Sequence, residues 1–309
     1  ICDGTDCLVP GITEQIERSG IHSGDSISVY PTVALGDTIR EQAYEMARKL
    51  VLSLGVKGII NVRFVCYDNR LYLTRASVNN WRNVTFISRV TGLPVIDIAV
   101  RCMAGEKLAG MGYGTGIYPH AKLYGVRVPV FSFDRVSGLD SQLGLEMKST
   151  GEALGIADNF EDALLKGLVA SGMRIRHAGG VFITVRDNDK QEAVQLADAF
   201  SQLGFDIYAT AGTAKILNTN FVPANAVRKI HEGSPNTLDL LSSNRIVYVI
   251  STSAKGRSSL IDDVKIRRRA VERQIPTFTS LDTARALVRC LKKRRSLDDT
   301  DIIDLNTIK

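Results

Sequence analysis

Apolar residues recur along this chain with two different periods, and the change of period divides it. From Gly180 onward a short apolar run, Val181-Phe-Ile-Thr-Val185, passes through Asp187-Asn-Asp189 into a stretch whose apolar positions fall at helical spacing. Those positions are Ala193, Leu196, Ala197, Phe200 and Leu203, and Gly204 ends the helix. The alternation then repeats. Strand Phe205–Ala209 leads to a short helix opened by Thr210-Ala-Gly-Thr213, then a strand near 226–230, a helix near 237–243 and strand Arg245–Ile250. After a loop from Ser251 to Arg257 come a helix over 259–274, strand Pro276–Thr279 and a helix over 281–294. Apolar strands alternating strictly with helices predict a parallel sheet covered on both faces.

The first half follows another rule. It predicts a helix before Gly20, a turn-rich stretch over 21–26, a long helix from Asp37 to about Leu54 and a hairpin over 61–77. Helices near 84–91 and 94–104, a strand near 122–130 and a helix over 160–171 complete an α+β pattern. Glycine-bearing loops at Ser171-Gly172 and Ala178-Gly-Gly180 mark the seam, which gives domains of 1–177 and 178–309. In the hairpin, a three-residue turn at Asp68-Asn69-Arg70 would set residue 67 against 71, 65 against 73, and Arg63 against Arg75. Two cations directly opposite repel. That placement asks for an anion or acidic partner between them, or for an older purpose now lost.

A length of 309 residues accommodates two cores, and 44% hydrophobic with 23% charged residues is ordinary for a globular protein. No apolar run approaches the roughly 18 residues of a membrane span, and no secretory signal opens the chain. Beginning at Ile1 without an initiating Met, the chain is expected to be a fragment or a processed piece. Five scattered cysteines suit free thiols in a reducing, cytoplasmic setting better than a disulfide framework. The net charge of +6 permits anionic ligands. The basic runs Lys265–Arg269 and Lys292–Arg295 read as solvated helix ends; no aromatics interleave them, so a nucleic-acid partner is not expected. His120 and His177 lack clustered ligands, His231 reads as a loop hydrogen-bonder, and Met103 and Met147 read as packing residues.

Ligands of parallel α/β sheets gather outside the carboxyl ends of the strands. Thr210-Ala-Gly-Thr213 lies at such an end, where a Gly turn entering a helix offers free N–H groups and the positive end of the helix dipole. Neighbouring strand ends bring Thr184 with Lys190, Lys229 before His231-Glu232-Gly233, and Ser251-Thr-Ser253. These residues, with Gly212, suit a phosphorylated, hydroxylated small molecule. They equally suit ordinary caps and turns, since Ser, Thr and Gly are what loops contain.

Several stretches carry a family resemblance. Ile-Cys-Asp-Gly4, Gly11-Ile-Thr-Glu-Gln-Ile-Glu17, Gly20-Ile-His-Ser-Gly-Asp-Ser26, Glu146-Met-Lys-Ser-Thr-Gly-Glu152 and the Thr-x-Gly-Thr turn, in this order, resemble the carboxyl-terminal part of the carbamoyl phosphate synthetase large chain. The resemblance implies a partial ATP-grasp unit followed by a Rossmann-like allosteric domain of the methylglyoxal-synthase-like fold. It implies ATP and Mg2+ as cofactors, carbamoyl phosphate formation for pyrimidine and arginine biosynthesis, and uridylate or inosinate as regulatory nucleotide. As partners it implies the remainder of the large chain and a glutaminase small subunit, in an oligomer. Carried over by position, Glu14, His22, Ser23 and Arg82 stand near the nucleotide, while Asp25 and Glu152 lie in regions that some members use for an amine effector. Lys190, Thr210, Thr213, Lys229, Thr252 and Ser253 stand at nucleotide contacts of the allosteric domain, with Ser251 where an Asn is common. The family's hairpin carries Gln, Glu and Asn as magnesium ligands; here those positions are Arg63, Arg75 and Ser77, followed by Asn79 in place of an Arg. A guanidinium has no lone pair to offer a cation. The expectation is a chain without catalytic residues of its own whose regulatory domain works, with an inactive homologue retained as a structural subunit as the alternative.

Overall fold

The computed structural model describes all residues except 23, 79–80, 120–121, 136–139, 145, 253–256 and 309, with backbone alone at 81 and 257–260. Ser23, Asn79, His120 and Ser253 lie outside the described residues. The first half opens with short strands β1 (Cys2–Asp3), β2 (Leu8–Val9), β3 (Glu14–Gln15) and β4 (Ser28–Tyr30). Helix α1 (Asp37–Ser53), strand β5 (Lys57–Gly58) and the hairpin β6 (Asn61–Tyr67) and β7 (Arg70–Ser77) follow. Then come α2 (Trp81–Thr91), α3 (Val95–Met103), β8 (Gly116–Ile117), β9 (Tyr124–Val130), β10 (Gly151–Ala157) and α4 (Phe160–Ala170). The second half runs β11 (Gly180–Thr184), α5 (Lys190–Gln202), β12 (Asp206–Thr210), α6 (Ala211–Thr219), β13 (Asn225–Val227) and α7 (Thr237–Ser242). It closes with β14 (Ile246–Ser251), α8 (Arg257–Glu272), β15 (Thr277–Phe278) and α9 (Leu281–Lys292).

The predicted parallel sheet is present, in the order β13-β12-β11-β14-β15 with every pairing parallel. Its helices bury the faces that the spacing assigned: Ala193, Leu196, Ala197 and Phe200 of α5 are all buried. In the first half an antiparallel sheet runs β10-β9-β4-β3. Helix α4 lies on it so closely that a methyl group on Gly155 would come 1.9 Å from the Ala163 carbonyl oxygen. Only glycine fits there. One apolar core then joins both halves, because Val126, Val128, Phe160, Leu164 and Leu168 share a cluster with Val181, Ile183, Phe200, Tyr248, Leu287 and Leu291.

Two expectations about secondary structure are corrected. No helix precedes Gly20: Glu14 and Gln15 instead pair antiparallel with Val29 and Ser28, and the Glu17 carboxylate turns inward to accept the Ile27 amide at 2.9 Å. The hairpin turn is two residues long. Asp68 (φ 49°) and Asn69 (φ 56°) are both left-handed, as a type I′ turn requires, and Asp and Asn tolerate that region. Tyr67 therefore faces Arg70, Val65 faces Tyr72 and Phe64 faces Leu73. An unbroken ladder would go on to set Thr74 against Arg63. The register shifts there instead, so Thr74 is left over and Arg63 does face Arg75. The Thr74 hydroxyl fixes the bulge by donating to the Arg63 carbonyl at 3.1 Å.

The seam between halves is dense in polar contacts. Glu17 is buried and accepts the Thr283 hydroxyl at 2.8 Å as well as the Ile27 amide. Arg18 grips Asp282 at 3.0 Å, and Arg289 and Arg295 reach Glu161 and Asp162 at 2.7 Å each. Arg267 corrects the solvated reading of its basic run: its side chain is fully buried and holds Asp140 through Nε at 2.8 Å. Met103 and Met147 are largely exposed, yet they close over the backbones of Gly58 and Gly24.

Burial pushes the Glu17 carboxyl up to about 7, against the hydrogen bonds from Thr283 and Ile27 that favour the ion. Because its folded-state pKa is raised, Glu17 contributes stability that is fully present below its unfolded value near 4.5 and is lost as pH rises towards 7. Denaturant unfolding should show up to about 3 kcal/mol of this loss between pH 4.5 and 8, and Glu17→Gln should flatten that part of the profile. Gly155→Ala should cost about 3 kcal/mol by the same measurement, as overpacking against a backbone oxygen that cannot yield.

Candidate functional site

The parallel register brings the chemistry of the second half to one edge. Ile183 stands beside Ala209, Thr184 beside Ser251 and Thr210 beside Val227, so Thr184, Thr210 and Ser251 end three adjacent strands at one level. The Thr184 and Thr210 hydroxyls lie 3.5 Å apart. Thr252 is tied in through both its groups: its amide donates to the Thr184 carbonyl at 3.1 Å and its hydroxyl accepts the Arg186 amide at 3.1 Å. Ser251 is fully buried, and its hydroxyl has no hydrogen-bond partner. A buried hydroxyl without a partner is costly, and a ligand oxygen or a water would relieve it.

Helix α6 starts at this edge with Thr210 in the N-cap position, extended in backbone and making no side-chain cap bond. The first-turn amides, which have no acceptor within the helix, are thus not taken up by the cap. Gly212 keeps the approach open, since a methyl group there would sit 3.3 Å from the Lys190 ammonium nitrogen. Lys190 itself pairs with the exposed Asp187 at 2.7 Å. The Asp187 carboxyl is held below the usual range by Lys190, through hydrogen bond and charge, with Lys229 adding a smaller pull. Thr184, Thr210, Ser251, Thr252, Gly212 and Lys190 thus share one edge, Lys229 acts electrostatically on Asp187 beside it, and Thr213 is buried in the first turn of α6. His231 has its Nδ1 3.0 Å from Asp262, as a loop hydrogen-bonder would.

The residues expected near a nucleotide in the first half keep different company. Glu14 accepts the Val33 and Ala34 amides at 2.7 and 2.9 Å. His22 is buried, with Nε2 3.2 Å from the Thr279 hydroxyl across the seam and Nδ1 without a partner, and burial lowers its pKa. Arg82 contacts the Met147 sulfur and lies 3.9 Å from Glu152.

Sequence reasoning missed the strongest charge centre of this half. Arg127 occupies β9 between buried Val126 and Val128, with its side chain 14% exposed. Its guanidinium donates to Asn83 Oδ1 at 3.0 Å and Ser28 Oγ at 3.1 Å, and lies 3.6 Å from Glu152. Asn83 in turn donates to Asn61 at the base of the hairpin at 3.0 Å. Desolvation lowers the Arg127 pKa; Glu152 opposes this, while Arg82 and Arg63 add to it. A lone Arg inside an apolar strand was the available signal. Among the described residues, neither Arg63 nor Arg75 has a carboxylate within 4.0 Å. No group of three or more His, Cys, Asp or Glu there could hold a metal ion. Guanidinium N–H groups at the paired positions of the hairpin do not fit a divalent cation, which wants hard oxygen ligands.

Comparison with known proteins agrees with the resemblance. The family model described as "Carbamoyl-phosphate synthase L chain, ATP binding domain" matches residues 3–111, and "MGS-like domain" matches 192–279. The carbamoyl phosphate synthase large chain of Clostridium perfringens (strain 13 / Type A) is 43% identical over 306 residues, 99% of this chain and 29% of its own length. That of Lachnoclostridium phytofermentans is 44% identical over 94% of this chain and 27% of its own. The chain belongs to the carbamoyl phosphate synthase large-chain family. It matches the carboxyl-terminal part and spans under a third of the length of these relatives. Among solved structures, a methylglyoxal synthase from Elizabethkingia anophelis NUHP1 aligns with 37% of this chain and 79% of its own at TM-score 0.31 and 16% identity. Among the described residues, no single helix is long and apolar enough to cross a membrane.

Replacing one guanidinium of the facing pair by a carboxylate converts repulsion into attraction. Arg75→Glu should therefore stabilise the chain by about 0.5 kcal/mol in denaturant unfolding at low salt, a gain that should shrink in high salt.

Proposed function

We propose that this chain is the regulatory end of a carbamoyl phosphate synthase large chain, divided into units 1–177 and 178–309. The second unit takes a phosphorylated nucleotide, uridylate or inosinate, at the carboxyl edge of its parallel sheet. The observation that carries this reading is the buried, unpartnered Ser251 hydroxyl, on the strand end beside the paired Thr184 and Thr210, with the Lys190 ammonium lying at Gly212 of the α6 start. In this reading the phosphate accepts the first-turn amides of α6 and the Lys190 and Lys229 ammonium groups, and Thr213, Thr252 and Ser253 add hydroxyls.

The first unit descends from an ATP-grasp fold that would use ATP with Mg2+. Glu14, His22, Ser23 and Arg82 are what remains of its nucleotide contacts, and Arg63, Arg75 and Ser77 replace its metal ligands. A metal bridging phosphate oxygens neutralises the charge of phosphoryl transfer. Arginine can supply positive charge to phosphate but cannot anchor the metal, so this unit does not carry out the transfer on its own. The remaining parts of the large chain and a glutaminase subunit, in the cytoplasm, complete the synthesis that feeds pyrimidine and arginine formation.

Calorimetry with uridylate and with inosinate tests the reading. One of them should bind with sub-millimolar affinity, and Lys190→Ala should weaken it about 10- to 100-fold, as loss of a charge-assisted hydrogen bond does. Absence of heat and of thermal protection by either ligand at millimolar concentration would count against it, as would an affinity indifferent to Lys190.

A further inference from the structure

We propose that the base of the β6–β7 hairpin is a binding site for a phosphate-class anion, held by guanidinium groups without a divalent ion. The proposal rests on the reading that this unit does not anchor magnesium. Arg63 and Arg75 are directly opposite only because the ladder slips by one residue at Thr74; in the unbroken register a neutral Thr would face Arg63. Directly opposed residues of an antiparallel pair have their Cβ atoms about 5 Å apart, and arginine cannot relieve the repulsion by losing its proton. No carboxylate among the described residues lies within 4.0 Å of either group.

The pair is part of a wider positive centre. Through Asn61 and Asn83, hydrogen bonds of 3.0 Å each connect the base of the hairpin to Arg127. Arg63 and Arg82 both act electrostatically on Arg127, so three of the four guanidinium groups share one field, and Arg75 joins through its pairing with Arg63. Glu152, 3.6 Å from Arg127 and 3.9 Å from Arg82, is the carboxylate that faces them. Among the described residues no carboxylate reaches Arg63 or Arg75 to share in this balance, and an anion with several charges would supply the missing negative charge. Guanidinium groups present donors only, in a planar fork that matches pairs of phosphate oxygens. A magnesium ion would add to the repulsion instead of relieving it.

Inorganic pyrophosphate is the probe, titrated calorimetrically into the full 309-residue chain with EDTA present. Binding should be measurable in EDTA, should weaken steeply with added salt, and should fall at least about 10-fold in the double variant Arg63→Gln/Arg75→Glu. That variant should be no less stable than the parent chain, so its lost binding would not reflect unfolding. Because pyrophosphate also suits the α6 edge, parent and double variant are compared in a Lys190→Ala background, in which the binding that depends on Arg63 and Arg75 should persist. Unchanged affinity in the double variant overturns the proposal. Absence of heat in EDTA while uridylate or inosinate still binds overturns it alone. Heat that develops only on adding Mg2+ overturns both the proposal and the metal-free reading beneath it.

Discussion

Two guanidinium groups that cannot shed their protons face each other across one rung of a hairpin, and the local structure is built to put them there. A type I′ turn at Asp68-Asn69 sets the register, and one extra residue, Thr74, shifts it. The backbone carbonyl of Arg63 is held by the Thr74 hydroxyl, so the slip is bonded in place. The chemistry of the hairpin base follows from this arrangement. It presents donors where a cation would need acceptors, and it presses on Arg127, which is already confined between Val126 and Val128.

The second half is organised around a different constraint, the common level of parallel strand ends. Because Thr184, Thr210 and Ser251 close adjacent strands, their hydroxyls and the start of α6 occupy a single edge without long loops to position them. The two halves do not merely abut. Phe160, Leu164 and Leu168 of α4 share a core with Leu287 and Leu291 of α9, and the salt bridges of Arg289 and Arg295 to Glu161 and Asp162 rim that contact. Thr279 and Thr283 reach across the same seam to His22 and Glu17. Two buried titratable groups of the first half therefore take a hydroxyl of the second as a partner.

The parallel sheet was legible because its strands are apolar runs and its helices repeat at a single spacing; Ala193, Leu196, Ala197 and Phe200 needed nothing beyond local pattern. Apart from the hairpin turn, which is local, the misreadings share a cause, which is dependence on distant partners. Gly11 to Glu17 carries Ile12 and Ile16 at helical spacing, yet Glu14 and Gln15 are drawn into a ladder with Ser28 and Val29. Strand β10 was passed over because Gly151 and Gly155 weaken a strand signal, and Gly155 is explained only by the close approach of α4. Arg267 sits in a basic run that looks solvated, and its partner Asp140 is 127 residues away. At the candidate sites, residue types at the sheet edge were readable. The uncapped start of α6, the unpartnered Ser251 hydroxyl and the role of Arg127 required coordinates.

Electron paramagnetic resonance of Mn2+ with ATP, in the presence and absence of this chain, tests most directly whether the hairpin has ceased to grip a divalent ion. The account predicts that the Mn2+ gains no ligand from saturating protein, so that its coordination remains that of Mn-ATP in solution. A bound-metal spectrum that disappears on substituting Arg63, Arg75 or Ser77 would contradict it.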